Sequence, residues 1–272
     1  MNKYAEPTFI VGGGVRCATG WIRECLSENP QIYVQPKEIH YFDQNYEKGK
    51  EWYRQFFSES GNRKIIGEKT ASYLHNDVAS RIKETVPDVK LVFCLRDPID
   101  RMYSHYTMLA ASDSDLREKG FVKSIDIELK ILEWGKYSEQ LNKYIKLFSS
   151  ENLLIKIYED IEKNPYVFLS DIFNFIGADA SFQAPSSKLR TKLGQFEHNS
   201  AFWGLLSKGM LNKRAPKFLR SIYTEIRPEK NDALSDEIYE QFSAYYHDDI
   251  NRLEKMLNRD LSLWPTKRNI PN

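Results

Sequence analysis

The chain has 272 residues, 41% of them hydrophobic, and its 39 Lys and Arg are nearly balanced by 38 Asp and Glu, leaving a formal net charge of +1. That length suits a single domain over 1–272 with a sizeable core, and the near-neutral balance argues against a general nucleic-acid surface, so any polyanion must be met by a local patch. The three cysteines, Cys17, Cys25 and Cys94, are odd in number and lack metal-ligand spacing, so neither a disulfide framework nor a metal site is expected.

Met1 to Pro7 run directly into the first apolar segment without an h-region, and no later stretch has bilayer-spanning length. The expectation is a cytoplasmic protein with no transmembrane segment. Phe9 to Ile22 then reads as a strand, three glycines, a cation, a hydroxyl and the start of an amphipathic helix. Glycines allow close backbone approach, a helix N-terminus offers free N–H groups, and Arg16 and Thr19 add charge and a hydroxyl, so the turn is an anion cradle. Two familiar fingerprints fail on spacing. A Walker A loop needs Lys after its last Gly, where Trp21 follows Gly20. The dinucleotide motif needs a third Gly where Cys17 stands.

A helix is predicted over Thr19 to Ser27, stopped by Asn29-Pro30, then a strand over Gln31 to Val34. Lys48 to Ser58 has helical spacing. Lys64 to Gly67 reads as a short strand, Asp77 to Val86 as a helix and Lys90 to Leu95 as a buried parallel strand. Pro98 to Leu109 reads as a helix followed by a mobile polar loop, Ala111 to Asp115, with helical pattern resuming from Ser124 to Phe148. Leu153 to Ile157 is a further buried strand, Tyr166 to Ile176 a helix capped by Gly177, and Ser235 to Leu257 a long helix whose aromatics serve packing. Alternating strands and helices imply an α/β fold with a mostly parallel sheet covered on both faces. Ligands would then gather at the carboxyl ends of its strands, near Arg16, Glu38 and Arg96.

Three further clusters carry chemistry. Lys37, Glu38 and His40 follow the second strand, and a carboxylate beside a cation and an imidazole suits a general base; a solvated loop is the competing reading. Arg96 leaves a strand at its functional end and Ser104 follows eight residues later, which suits a second anion; a salt bridge of Arg96 to Asp97 or Asp100 competes, and Arg101 is expected to pair locally. Lys69 lies at the same edge, with a solvated charge as its alternative. His75, His105, His198 and His247 have no partner pattern and read as ordinary surface or core residues.

These residues resemble the PAPS-dependent sulfotransferase family, whose members move a sulfuryl group from 3′-phosphoadenosine 5′-phosphosulfate to an acceptor. The family's first loop, Gly-x-x-Lys/Arg-Ser/Cys-Gly-Thr-Thr/Ser, lies on Gly13 to Gly20, and its strand, Arg-Asp-Pro and later Ser match Arg96 and Ser104 without gaps. Lys37-Glu-Ile-His-Tyr-Phe42, then Tyr46, Gly49 and Trp52-Tyr53, is similar to the carbohydrate branch, above all heparan sulfate sulfotransferases, and to bacterial relatives; Gly67 to Thr70 and Tyr158 to Asp160 resemble further landmarks.

The resemblance implies a P-loop-like three-layer fold and a metal-independent enzyme. Arg16, Cys17, Ala18, Thr19 and Gly20 would bind the 5′-phosphosulfate beside Trp21, Arg96 and Ser104 the 3′-phosphate, and PAP would be the product. Glu38 would take the proton of an acceptor hydroxyl, on a glycan, glycolipid or other alcohol, while His40 and Lys69 orient or neutralise the transferring group. Lys188, Arg190 and Lys192 are candidates for a donor-covering loop. Three departures stand out: Arg16 for the usual Lys, Ala18 for Gly and Gly20 for a hydroxyl residue, which predict weaker donor binding or a reshaped loop. The rival functions are a non-catalytic binder of an adenosine bisphosphate or sulfated glycan and, further off, a P-loop nucleotide kinase.

Overall fold

A computed structural model describes residues 5–125, 129–187 and 234–269. Five strands, β1 (Phe9–Gly13), β2 (Ile32–Val34), β3 (Ile65–Lys69), β4 (Lys90–Leu95) and β5 (Leu153–Ile157), form one sheet in the order β2-β3-β1-β4-β5. Every neighbouring pair is parallel, with Phe9 opposite Gly67 and Lys90, and Leu91 opposite Leu153. All five carboxyl ends therefore open on one edge.

The strands read as continuous apolar runs because alternate residues enter two different cores. Ile10, Leu91, Phe93 and Leu95 join one cluster with residues of α4 (Ala79–Thr85), α5 (Pro98–Ala110), α8 (Tyr137–Ile145) and the long helix α11 (Asp236–Leu257). Phe9, Val11, Val92 and Cys94 join the other, with α1 (Thr19–Ser27) and α10 (Pro165–Ile176). Helices on both faces make the expected three layers. Start and stop signals act as local chemistry dictates: Asn164 Oδ1 accepts from the Tyr166 and Val167 amides, Pro165 fills the first helical position, and Gly177 ends α10 at φ 87°.

Two expectations are corrected. Ala111 to Asp115 is not a loop throughout, because Asp113 Oδ1 accepts from the Asp115 and Leu116 amides and starts α6 (Ser114–Ile125). The pattern over Ser124 to Phe148 is broken: α7 (Leu129–Glu133) stops before Trp134-Gly135-Lys136, and Gly135 leaves no room for a side chain against Tyr246. Lys48 to Ser58 divides into α3 (Gly49–Arg54) and a 3-10 turn, Gln55–Ser60. The candidate covering-loop residues Lys188, Arg190 and Lys192, and His198, lie outside the described residues. Among the described residues no helix is long and apolar enough to cross a membrane.

Candidate active site

The loop after β1 is built by close approach. A Cβ on Gly13 would meet Leu74 Cβ at 2.6 Å and the Ala71 carbonyl at 2.9 Å, so only glycine lets β1 pass the segment that follows β3. The Gly14 amide donates to the Cys94 carbonyl at 2.7 Å, which ties the loop to β4. The Val15 amide donates to His75 Nε2 at 3.0 Å, and the other ring nitrogen, Nδ1, faces Gln140 Oε1 at 2.8 Å. Accepting from Val15 requires a neutral ring protonated on Nδ1, and burial does keep it neutral, with its pKa pushed down to about 3. His75 stacks on Trp134 at 4.7 Å, and His105 lies against the same indole at 5.3 Å. His75 is therefore a loop support, not an ordinary core histidine.

Arg16 and Ala18 both take left-handed backbone, at φ 65° and 61°. Ala18 is the N-cap of α1, yet no side chain caps that helix and its first turn holds no acidic residue. The first-turn N–H groups, with no side-chain cap, and a positive dipole end face the loop, the arrangement that binds anions. Arg16 Nε donates to Ser104 Oγ at 3.0 Å, joining the loop to α5. Cys17 is buried with its thiol pushed up to about 11 by burial, so it takes part as packing rather than as a thiolate. Thr19 is buried, Gly20 opens the helix, and Trp21 packs on Phe168 at 6.0 Å with Nε1 donating to the Ser186 carbonyl at 3.4 Å.

Arg96 leaves β4 with its guanidinium over the Tyr158 ring, 4.6 Å from the centroid, and its Nε is buried without a partner. The competing salt bridge is absent among the described residues. Asp97 instead caps α5 through the Ile99 and Asp100 amides and accepts from the Thr266 amide and hydroxyl, while Asp100 accepts from Tyr239. Arg101 does not pair locally with a carboxylate; it is fully buried and donates to the Ile131 carbonyl.

Across the sheet edge, Glu38, His40 and Lys69 come together. Lys69 Nζ donates to Glu38 Oε1, and His40 Nε2 lies 3.2 Å from Glu38 Oε2. His40 Nδ1 is 3.2 Å from Asp43 Oδ2, which also accepts from Ser72 Oγ at 2.6 Å and Asn76 Nδ2 at 3.1 Å. An imidazole between two carboxylates satisfies both contacts only when the ring carries both protons or one of the two carboxyls carries one. Glu38 and His40 side chains are each 29% exposed, open enough to meet a substrate, whereas that of Asp43 is 3% exposed.

Asp43 is the site residue missed by the sequence reading. Its one signal was its place three residues after His40, in the first turn of α2 (Tyr41–Gln44). Behind the cluster, Glu68 is buried and accepts from Tyr53 at 2.6 Å and Thr70 at 2.8 Å, and Tyr73 Oη in turn accepts from the Tyr41 amide at 3.0 Å. Burial raises the Glu68 pKa to about 7, and the hydroxyl donors oppose that rise.

The family model for the sulfotransferase domain matches residues 6–258. The mouse bifunctional heparan sulfate N-deacetylase/N-sulfotransferase 4 is 27% identical over 93% of this chain and 30% of its own length. The human heparan sulfate glucosamine 3-O-sulfotransferase 3B1 is 28% identical over 63% of this chain and 46% of its own. The chain spans less than half the length of these curated relatives. A sulfotransferase structure from Alicyclobacillus acidocaldarius covers 96% of this chain and 99% of its own at TM-score 0.72 and 21% identity. A mouse sulfotransferase solved with PAP covers 94% and 90% at TM-score 0.52 and 14% identity. With the family model spanning most of the chain and the parallel sheet matching in fold, the chain belongs to the sulfotransferase family.

Proposed function

We propose that this sulfotransferase transfers the sulfuryl group of 3′-phosphoadenosine 5′-phosphosulfate to a hydroxyl of a carbohydrate or glycolipid acceptor. The observation that carries the reading is the Glu38 carboxylate held between Lys69 and His40 at the strand edge that also bears the uncapped anion loop. Fit to the donor is supported by the buried, unpartnered Arg96 Nε, by the uncapped first turn of α1, and by the PAP in complex with the mouse neighbour. The carbohydrate acceptor is supported by the Lys37 to Phe42 motif and by the heparan sulfate relatives.

When bound, the donor supplies an electrophilic sulfur and a phosphate leaving group. Glu38 accepts the acceptor's proton as its oxygen forms the S–O bond, and the electron pair of the breaking S–O bond passes to the 5′-phosphate. His40, oriented by Asp43, shares that proton with Glu38. Lys69 and Arg16 balance charge growing on the sulfuryl and phosphate oxygens, while Arg96 and Ser104 hold the 3′-phosphate. Positioning and electrostatics supply most of the acceleration, as in phosphoryl transfer.

Incubation with ³⁵S-labelled donor and a panel of glycan, glycolipid and simple alcohol acceptors tests the reading. It predicts PAP release matched by sulfated product. Tight PAP binding with no transfer to any acceptor supports the non-catalytic rival, and phosphoryl transfer from ATP supports the kinase.

A further inference from the structure

Helix α5 carries Arg101, Ser104, His105 and Met108 at i, i+3, i+4 and i+7, one stripe along the helix. The loop meets that stripe through Arg16, whose Nε donates to Ser104 at 3.0 Å and whose Nη1 lies 3.6 Å from Met108 Sδ. Arg101, at the inner end, is 0% exposed. Its Nη2 donates to the Ile131 carbonyl, but its Nε and Nη1 are buried with no partner, and no carboxylate pairs with it among the described residues. Of the seven such orphaned side-chain atoms among the described residues, four fall between residues 96 and 105: Arg96 Nε, Arg101 Nε and Nη1, and His105 Nδ1.

The carboxylates that share these surroundings, Asp97 and Glu159, are committed elsewhere, Asp97 to the α5 cap and Thr266, Glu159 to the Asp97 amide and Trp264. The guanidinium's field reaches the Cys17 thiol, the His75 and His105 imidazoles and the Tyr137 and Tyr246 phenols. Burial leaves all five neutral, and His105 is pushed down to about 4, with Arg101 adding to the effect on both histidines. A buried cation without a paired counter-charge is unfavourable, and an arginine kept in this state gains from a further negative charge brought near it. Two routes lead from Arg101 to the loop: Cys17 lies within it, and His75 bonds its Val15 amide.

We propose that Arg101 is a buried electrostatic anchor of the loop, a positioning residue whose charge is balanced by the anion seated over Arg16 to Gly20. The identity of that anion as the donor's phosphosulfate rests on the proposed function; the anchor itself does not. Ligand-free protein carries the unbalanced charge, and anion binding relieves it. Arg101 thus raises affinity through the loop without touching the acceptor.

The test uses the full chain with R101M and R101Q, which remove the charge, and R101K, which keeps it. Thermal unfolding is followed without ligand, with pyrophosphate and with PAP, and PAP affinity is measured by calorimetry. Without ligand, R101M or R101Q melts at or above the wild-type temperature. Both bind PAP at least tenfold more weakly, lose pyrophosphate stabilisation and raise the donor KM more than they lower kcat, while R101K recovers most of the affinity. The proposal is overturned if the neutral variants bind both anions like wild type, or if neither folds, or if R101K fails to rescue affinity. Arg101-dependent stabilisation by pyrophosphate with no PAP binding would keep the anchor and reject the donor assignment. Normal PAP binding indifferent to Arg101 would do the reverse.

Discussion

The two halves of the strand edge are built on opposite electrostatic plans. On the loop side, Arg16, Arg96 and Arg101 gather around an uncapped helix start with no carboxylate in its first turn, and polar nitrogens are left unsatisfied. On the other side the charges meet one another, Lys69 with Glu38, Glu38 with His40 and His40 with Asp43, whose Oδ1 is left without a hydrogen-bond partner. An unsatisfied cationic site awaits an anion, whereas a self-neutralised chain of groups passes a proton with little change in net charge. On the proposed function, that difference gives donor binding to one half and proton handling to the other.

The sharpest way to break that division is Glu38→Gln. The amide keeps the size of the side chain but cannot take a proton, so kcat falls by about two to four orders of magnitude in a steady-state transfer assay. Near-wild-type turnover would remove Glu38 from the mechanism. Arg96→Met acts on the other half: losing a charge-assisted contact costs about 1.5–3 kcal/mol, read by calorimetry as PAP affinity weakened about ten- to hundredfold. Asp43→Asn should sit between the halves in effect. It removes the charge that orients His40, so kcat drops by about tenfold or more while PAP affinity holds, and an equal loss in both would reject the relay.

Smaller effects sharpen the same comparison through stability. Glu68 has a folded pKa of about 7 against an ordinary 4.5, so the folded state holds its proton more tightly and Glu68 makes stability fall as pH rises from about 4.5 through 7. Glu68→Gln should cancel that contribution. Denaturant unfolding at pH 4.5 and 7.5 should therefore show the wild type losing on the order of 3 kcal/mol relative to the variant; parallel profiles would place the carboxyl elsewhere. Ala18→Gly is the mildest change. At φ 61° alanine is strained where glycine is not, so stability should rise by up to about 1 kcal/mol, and a fall would show that the left-handed turn carries no such strain.

How much of this was legible depended on the range of the interaction. Lys90–Leu95 was readable to the residue because a strand inside a parallel sheet needs apolar side chains on both faces, a property of the segment alone; Leu153–Ile157 kept its bounds, but as the edge strand it is half-buried up to Ile157 rather than buried. Arg96 and Glu38 were readable as candidates because they follow strands, Lys69 because it lies at the end of one, and Ser104 by its spacing of eight residues from Arg96. His75 was not, since its value comes from Val15, sixty residues away, and from Gln140. Asp43 and Arg101 were missed in the same way: one gains its role from Ser72 and Asn76, the other from what the tertiary fold leaves without a partner. The start of α6 was missed for a local reason, a polar stretch whose Asp113 caps a helix rather than turning a loop.

The division of the site into an anion half and a proton half is tested most directly by measuring PAP affinity and sulfuryl turnover side by side in wild type, Glu38→Gln and Arg96→Met. It predicts that Glu38→Gln binds PAP within about twofold of wild type while turnover collapses, and that Arg96→Met loses affinity by tenfold or more. If Glu38→Gln weakens PAP binding as much as Arg96→Met does, the two halves are one site and the account is contradicted.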